Sequence, residues 1–385
     1  MEFLIALFPG FSELSWQMLV MYVFGALLIW LAIKKEYEPM LLLPIGFGAI
    51  LVNLPLSAVW GEAEYRGFLG IFYDIGIITE LFPILIFIAI GAMIDFSHLL
   101  LAPRMMLFGA AAQFGIFAAM IASIAFGDVF PALGISLETA ASIGIIGSAD
   151  GPTSIVVSQR FAPEYLGAIT VAAYSYMALV PLIQPLVIKA LTSKKERLIR
   201  MDLNKQPRVS KAALIVFPIV ITLAAGILIP EGAPLVGALM FGNLVRECGV
   251  LERLSKTAQN ELANIVTLLL GITIGGTMRA YMFLQVQTLF ILFLGLLAFI
   301  FGTASGVLFA KLMNLFWKEK VNPMIGAAGL SAFPISARVV QKLAKEEDPH
   351  NFILMQAVSA NVSGQLGSIV AGGILLQMVP IMMAR

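Results

Sequence analysis

Read for hydropathy and for glycine and proline punctuation, the chain divides into twelve apolar segments, near 16–33, 40–59, 77–94, 105–126, 139–158, 166–191, 212–229, 232–246, 262–278, 284–313, 324–341 and 351–380. An apolar helix of about 20 residues crosses a bilayer. The pattern therefore predicts an all-α polytopic membrane protein with about 10–12 membrane segments. Two segments, 139–158 and 324–341, are interrupted. The first carries Gly144, Gly147 and Gly151, Pro152, the hydroxyls of Ser148, Thr153 and Ser154, and the carboxylate of Asp150. A helix cannot run unbroken through Gly-Pro, because proline removes a backbone donor and clashes with the preceding turn. In lipid the freed backbone groups must find partners in protein, water or an ion. A carboxylate at that depth costs about 2.5–3.5 kcal/mol on insertion scales. A broken helix beside a buried acid is how many transporters build a cation site.

The interruption recurs. Ile143-Gly144-x-x-Gly147-x4-Pro152-x-Ser154-x2-Val157-x-Gln159 returns as Ile325-Gly326-x-x-Gly329-x4-Pro334-x-Ser336-x2-Val339-x-Gln341 at one constant offset. Ile88-Ala89-Ile90-Gly91 is echoed by Ile272-Thr273-Ile274-Gly275, and Phe47-Gly48 by Phe241-Gly242. Matches in the same order argue for an internal duplication. The chain then reads as an N-terminal interfacial segment (1–15), a first repeat (16–191), a basic linker (192–211) and a second repeat (212–385). The linker holds Lys194, Lys195, Arg197, Arg200, Lys205, Arg208 and Lys211 against Glu196 and Asp202, which makes it cytoplasmic. If the broken segments are re-entrant hairpins, each half crosses five times and the repeats are inverted. That topology puts Lys34, Lys35, Arg104, the linker, Arg246 to Lys256, Lys318 to Lys320 and Lys342 to Lys345 inside, and Glu62, Glu64, Asp128 and Glu231 outside. Arg279 falls outside and strains the scheme, unless it faces the cavity.

Composition agrees with this reading. Of 385 residues 60% are hydrophobic and 12% charged, with mean hydropathy +0.95; soluble domains are about 25% charged. A net charge of +1, with no basic helix or aromatic RNA motif, gives no sign of nucleic acid as a partner. The single cysteine, Cys248, excludes an internal disulfide. Met1 to Trp16 lacks a basic n-region and a small-residue cleavage site, so it reads as an interfacial segment rather than a leader. His98 and His350 fall in connectors and read as solvated, and Asp95 reads as a cap or an ion-pair partner.

Candidate chemistry gathers after each break. The first is followed by Tyr174, Ser175, Tyr176, Pro181 and Gln184, the second by Asn361, Ser363, Gln365 and Ser368. In the repeat Tyr176 pairs with Asn361. Asn361 and Ser368 are two helical turns apart and share a face. An amide oxygen, hydroxyls and loosened carbonyls form an all-oxygen set suited to a hard cation, with no thiolate or histidine pair for a transition metal. The breaks differ in charge: Asp150 corresponds to Ala332, and Val156 to Arg338.

These residues resemble those of a family, the membrane-embedded beta subunits of the sodium-pumping, biotin-dependent decarboxylases. The likeness lies in Gly147-Ser-Ala-Asp-Gly-Pro-Thr-Ser154, in Asn322-Pro-Met-Ile-Gly-Ala-Ala-Gly-Leu-Ser331 with Arg338, and in Asn361-Val-Ser-Gly-Gln-Leu-Gly-Ser368. It covers nearly the whole chain. The resemblance implies a pump that decarboxylates carboxybiotin brought by a partner subunit, consumes a proton and exports Na+. It places the functional positions at Asp150, Tyr176, Asn322, Gly326, Ser331, Arg338, Asn361 and Ser368, all present as expected types. It further implies a biotin-carrying carboxyltransferase or alpha subunit, a small gamma subunit and a trimer of beta subunits. The expected ion ligands are Asp150, Asn361, Ser368, Asn322 and Gly326. Asp150, Tyr176 and Ser331 are the expected proton route. Arg338 holds the carboxylate of carboxybiotin or neutralises a helix end.

The residues themselves support part of this. The chain has no Met-Lys-Met biotinylation site and no nucleotide-binding glycine loop, so its energy arrives from another chain. Exporting one charge against 100 mV costs about 2.3 kcal/mol, within what a decarboxylation delivers. A stand-alone Na+/H+ antiporter or a sodium-coupled carboxylate transporter would use the same broken-helix site. The modest length leans towards the acyl-CoA decarboxylases.

Overall fold

The computed structural model describes residues 9–62, 65–201 and 209–384. Residues 1–8 of the expected interfacial segment, Glu64, and the linker residues Asp202, Lys205 and Arg208 lie outside the described residues. Among the described residues the regular structure is helical but for one short antiparallel pair, β1 (Gly61–Glu62) and β2 (Tyr65–Arg66). In the first half the main helices are α1 (Trp16–Lys35), α2 (Pro39–Val52), α3 (Leu81–Met93), α4 (Pro103–Val129), α5 (Leu137–Gly144), α6 (Gly151–Phe161), α7 (Leu166–Ala178) and α8 (Val180–Leu191). The second half adds α9 (Lys211–Leu228), α10 (Ala233–Glu247), α11 (Ala263–Thr277), α12 (Val286–Phe316), α13 (Met324–Ala327), α14 (Ile335–Glu347) and α15 (Leu354–Met383).

Five of these, α1, α4, α9, α12 and α15, are long and apolar enough to cross a bilayer alone. Two more spans are bent: Phe68–Ile78 runs into α3 at 61°, and the stretch through α7 runs into α8 at 69°. Proline accounts for the second bend, since α8 has Pro181 in its first turn and Pro185 within it. The expected helix over 40–59 ends instead at Val52, and the chain then turns into the β pair. Local signals set the starts: Ser15, Ser136 and Ser210 each accept a hydrogen bond from a backbone N–H of the first turn of α1, α5 and α9. On α9 the apolar side chains of Leu223, Ile227 and Leu228 are 61–79% exposed, a surface that suits lipid and not water.

Two crossings bind the halves together. A Cβ on Gly48 of α2 would lie 2.3 Å from the Ile272 carbonyl of α11, and one on Gly242 of α10 would lie 1.9 Å from the Ile88 carbonyl of α3. At both places the backbones approach because each helix brings a glycine to the crossing, Gly48 with Gly275 and Gly242 with Gly91.

Both interrupted segments turn back on themselves. Leu133, Ile135 and Thr139, leading into α5, meet Tyr165 beyond α6, together with Gln287 and Phe290 at the start of α12. Asn322 ahead of α13 and Asn351 beyond α14 both donate to the carbonyls of Arg197 and Ile199. Asn314, near the end of α12, donates to Val321 O at 2.7 Å. The two hairpins therefore enter from opposite ends of α12, and their tips meet where Ser331 N donates to Ser148 O at 3.0 Å.

Arg279 does not face the interior: its guanidinium lies 4.6 Å from the centre of the Trp60 ring. His98, read as solvated, is half-buried, with Nδ1 4.0 Å from Asp95 and without a hydrogen bond. Asp95 acts as expected, accepting from Ser97 N and lying 3.7 Å from Arg246.

Candidate ion site

The first hairpin unwinds in steps. A 3-10 turn covers Ile145–Ser148, Ala149 is left-handed at φ 55°, and Asp150 is extended before α6 begins. Asp150 thus stands as the N-cap of α6, at the positive end of the helix dipole. Its side chain is 3% exposed. Three neutral donors converge on one carboxylate oxygen: Thr153 Oγ1 at 2.7 Å, Gln365 Nε2 at 3.1 Å and Ser368 Oγ at 2.5 Å all reach Oδ2. Ser331 Oγ of the second hairpin lies 3.1 Å from Ser368 Oγ. Ser368 Oγ thus bridges the carboxylate and the second hairpin. Among the described residues no lysine, arginine or histidine lies within ion-pair distance of Asp150. A buried carboxylate without a cationic partner is costly, and a proton or a bound cation relieves that cost.

A cavity of about 380 Å³ ends on this group. Asp150, Ser331, Gln365 and Tyr174 line its inner part, and Glu38 and Asn264 its mouth. Met93 also lines it, and the Met93 carbonyl accepts from Arg246, so the mouth opens at the end that carries the basic residues. Glu38, between α1 and α2, has its carboxyl pushed above the ordinary value by burial.

The other residues singled out in the sequence distribute as follows. Asn361 Nδ2 donates to Ala328 O at 3.1 Å and Leu330 O at 2.6 Å, carbonyls freed by the second break, and its Oδ1 is buried without a partner. It stands about 10 Å along α15 from Ser368, so the two face different partners. Asn322 holds the hairpin entry: besides the Arg197 and Ile199 carbonyls it accepts from Met324 N at 3.1 Å. Gly326 is a packing position, where a Cβ would meet the Gly306 carbonyl at 2.0 Å. Tyr176 turns away from the cavity and donates to Leu292 O at 2.5 Å. Arg338 is exposed and shares a shallow groove of about 450 Å³ with Lys342 and Lys345. Asp150, Ser331 and Ser368 are therefore brought together, with Asn361 on the next turns of the same element. Thr153, Gln365 and Tyr174 complete the site and were not singled out as ligands. Gln365 was legible, four residues after Asn361 and three before Ser368 on one helical face.

Crossing helices, two hairpins meeting tip to tip and a neutral-lined carboxylate at the blind end of a cavity define a multi-pass membrane protein of the ion-transporting class. Comparison with known proteins narrows the class. Residues 17–379 match the family model of the Na+-transporting oxaloacetate decarboxylase beta subunit. The chain is 46% identical to the oxaloacetate decarboxylase beta chain of Klebsiella pneumoniae over 98% of its length and 99% of that protein's. It is 47% identical to the methylmalonyl-CoA decarboxylase beta subunit of Propionigenium modestum (96% of each). It is 48% identical to the glutaconyl-CoA decarboxylase beta subunit of Acidaminococcus fermentans (96% of this chain, 95% of that one). The chain belongs to the family of beta subunits of the Na+-transporting decarboxylases, and within it is a membrane subunit of a decarboxylase-coupled sodium pump.

Proposed function

We propose that this subunit couples the decarboxylation of carboxybiotin, with uptake of one proton, to Na+ export, and that Asp150 is where the two meet. The observation that carries this reading is the carboxylate at the end of the cavity, held by three neutral donors on Oδ2 and facing no basic side chain. Such a group binds a cation when ionised and releases it when protonated. Ser331 and Ser368 link the carboxylate to the second hairpin. Movement of one hairpin against the other would remake the ion's ligand shell. Asn361 Oδ1, buried and unpartnered two turns before Ser368 on α15, offers a further oxygen on the same helix. Of the two hydroxyls expected on the proton route, Ser331 keeps that assignment, since it lies at the site, whereas Tyr176 gives its proton to Leu292 O on the side away from the cavity.

Carboxybiotin is carried by the partner chain, and its loss of CO2 supplies the free energy and consumes the proton. Arg338, Lys342 and Lys345 form a basic exposed face that suits a carboxylate, beside the end where Arg197 pairs with Glu347. We assign this face to the docking of the carboxylated carrier. Membership of the family supports a biotin-carrying alpha subunit as partner, and we assign a small gamma subunit and two further beta subunits to the same complex. The alignments to the methylmalonyl-CoA and glutaconyl-CoA relatives run over 390 and 370 residues, against 433 for the oxaloacetate relative. This chain's 385 residues match the first two, which favours an acyl-CoA substrate on the partner.

The halves, 16–191 and 212–385, are read as inverted repeats. The hairpins enter from opposite ends of α12, and the α2–α11 and α3–α10 crossings exchange when the halves are exchanged. Reconstitution in liposomes with and without the biotinylated partner tests the function, following 22Na+ and the loss of carboxybiotin. Flux that requires carboxybiotin supports the pump; full flux without it would mark an antiporter and overturn the reading.

A further inference from the structure

We propose that Glu38 and Tyr174 form an inner loading position for the transported cation, ahead of Asp150 in the same cavity. The inference rests on the pump reading above and adds a site to it. Glu38 sits at the start of α2, where the backbone is left-handed at φ 37°. Its carbonyl accepts from the N–H groups of Leu41 and Leu42 at 3.0 Å, while its carboxylate makes no capping hydrogen bond and no ion pair among the described residues. That carboxylate is half-buried and lines the cavity mouth with Asn264 and Thr267.

Tyr174 is the independent observation. It is 2% exposed, lines the same cavity, and its hydroxyl has no hydrogen-bond partner. Its phenol rests against Gly151, the residue after Asp150: a Cβ on Gly151 would lie 2.4 Å from Tyr174 Oη. A buried phenol left unpaired is unfavourable unless something uses it. Tyr174 therefore stands beside Asp150 in the wall of the cavity that Glu38 also lines.

Arg246 at this end is held by Asp95 at 3.7 Å and Glu247 at 3.2 Å. Among the described residues no lysine or arginine lines the cavity, and Glu38 is the carboxylate just inside the lip. It supplies an unpaired negative charge where the ion begins to lose water. Carboxylate, phenol and amide oxygens suit a small hard cation. The same set gives an anionic carrier headgroup nothing to bind.

The test uses the complete complex in inside-out vesicles, so that added Na+ reaches the basic face. Decarboxylation is titrated with Na+ for wild type, Glu38→Gln, Glu38→Asp and Tyr174→Phe. Glu38→Gln is expected to raise the half-saturating Na+ concentration about three- to tenfold, from the loss of one nearby charge, with the maximal rate kept. Glu38→Asp, which retains the charge, is expected to stay within about twofold of wild type, and Tyr174→Phe to shift about two- to fivefold. An unchanged half-saturation in Glu38→Gln, a maximal rate that saturating Na+ does not restore, or a Glu38→Asp as impaired as Glu38→Gln would each overturn the loading position. Wild type without any Na+ dependence would instead overturn the pump reading itself.

Discussion

Ser368→Ala removes one hydroxyl from the most crowded contact in the protein, and its cost follows from the geometry. Ser368 Oγ donates to Asp150 Oδ2 at 2.5 Å and carries the link to Ser331 at 3.1 Å. A hydrogen bond to a charged acceptor contributes about 1.5–3 kcal/mol. In the variant Thr153 and Gln365 remain on Oδ2, so the carboxylate keeps two of its three donors. It becomes a stronger base for protons and loses its coupling to the second hairpin. Converted at 1.36 kcal/mol per decade, that loss weakens Na+ binding about ten- to 150-fold. The assay is Na+-dependent decarboxylation by the assembled complex, with the thermal midpoint of the detergent-solubilised subunit as a control. Ser368 is fully buried in a helix interior, and alanine is the best helix former, so the fold tolerates the change. A half-saturation within twofold of wild type, in a folded protein, would refute the placement of Ser368 at the ion.

Two further predictions address the architecture. Asn322→Ala removes three hydrogen bonds at the entry of the second hairpin, which costs about 1–3 kcal/mol of stability; the melting midpoint should fall while half-saturating Na+ stays put, and the opposite pattern would make Asn322 a ligand. In a Cys248→Ser background, Asp128→Cys and Lys345→Cys should react with impermeant thiol reagents from opposite sides of the membrane. Labelling from the same side refutes the inverted arrangement.

How far the sequence reached depended on the kind of signal. The two breaks were legible because Gly144, Gly147 and Pro152 recur as Gly326, Gly329 and Pro334, and a break leaves the same mark wherever it occurs; the residues leave open whether each segment spans or turns back. Helix ends were less so: the run 40–59 hides the stop at Val52, because Leu54, Leu56, Ala58 and Val59 keep the local hydropathy high around Asn53, Pro55 and Ser57. The site itself divided by face. Residues two apart on a helix point in different directions, so Tyr174 and Tyr176 could not both reach the cavity. Resemblance favoured Tyr176, whereas the packing of α7 turns Tyr174 inward and hands Tyr176 to Leu292. Asn322 reads as a polar group inside an apolar motif, the usual mark of a ligand. Its partners, the carbonyls of Arg197 and Ile199, are more than a hundred residues away and leave no local trace.

The central claim is that a cation occupies the end of the cavity because Asp150 is charged there. The most direct measurement is equilibrium binding of 22Na+ to the purified complex without turnover, for wild type and Asp150→Asn. The account predicts saturable binding in wild type, competed by protons, that Asp150→Asn abolishes while the thermal midpoint is retained or raised. Saturable binding of equal affinity in Asp150→Asn would contradict it.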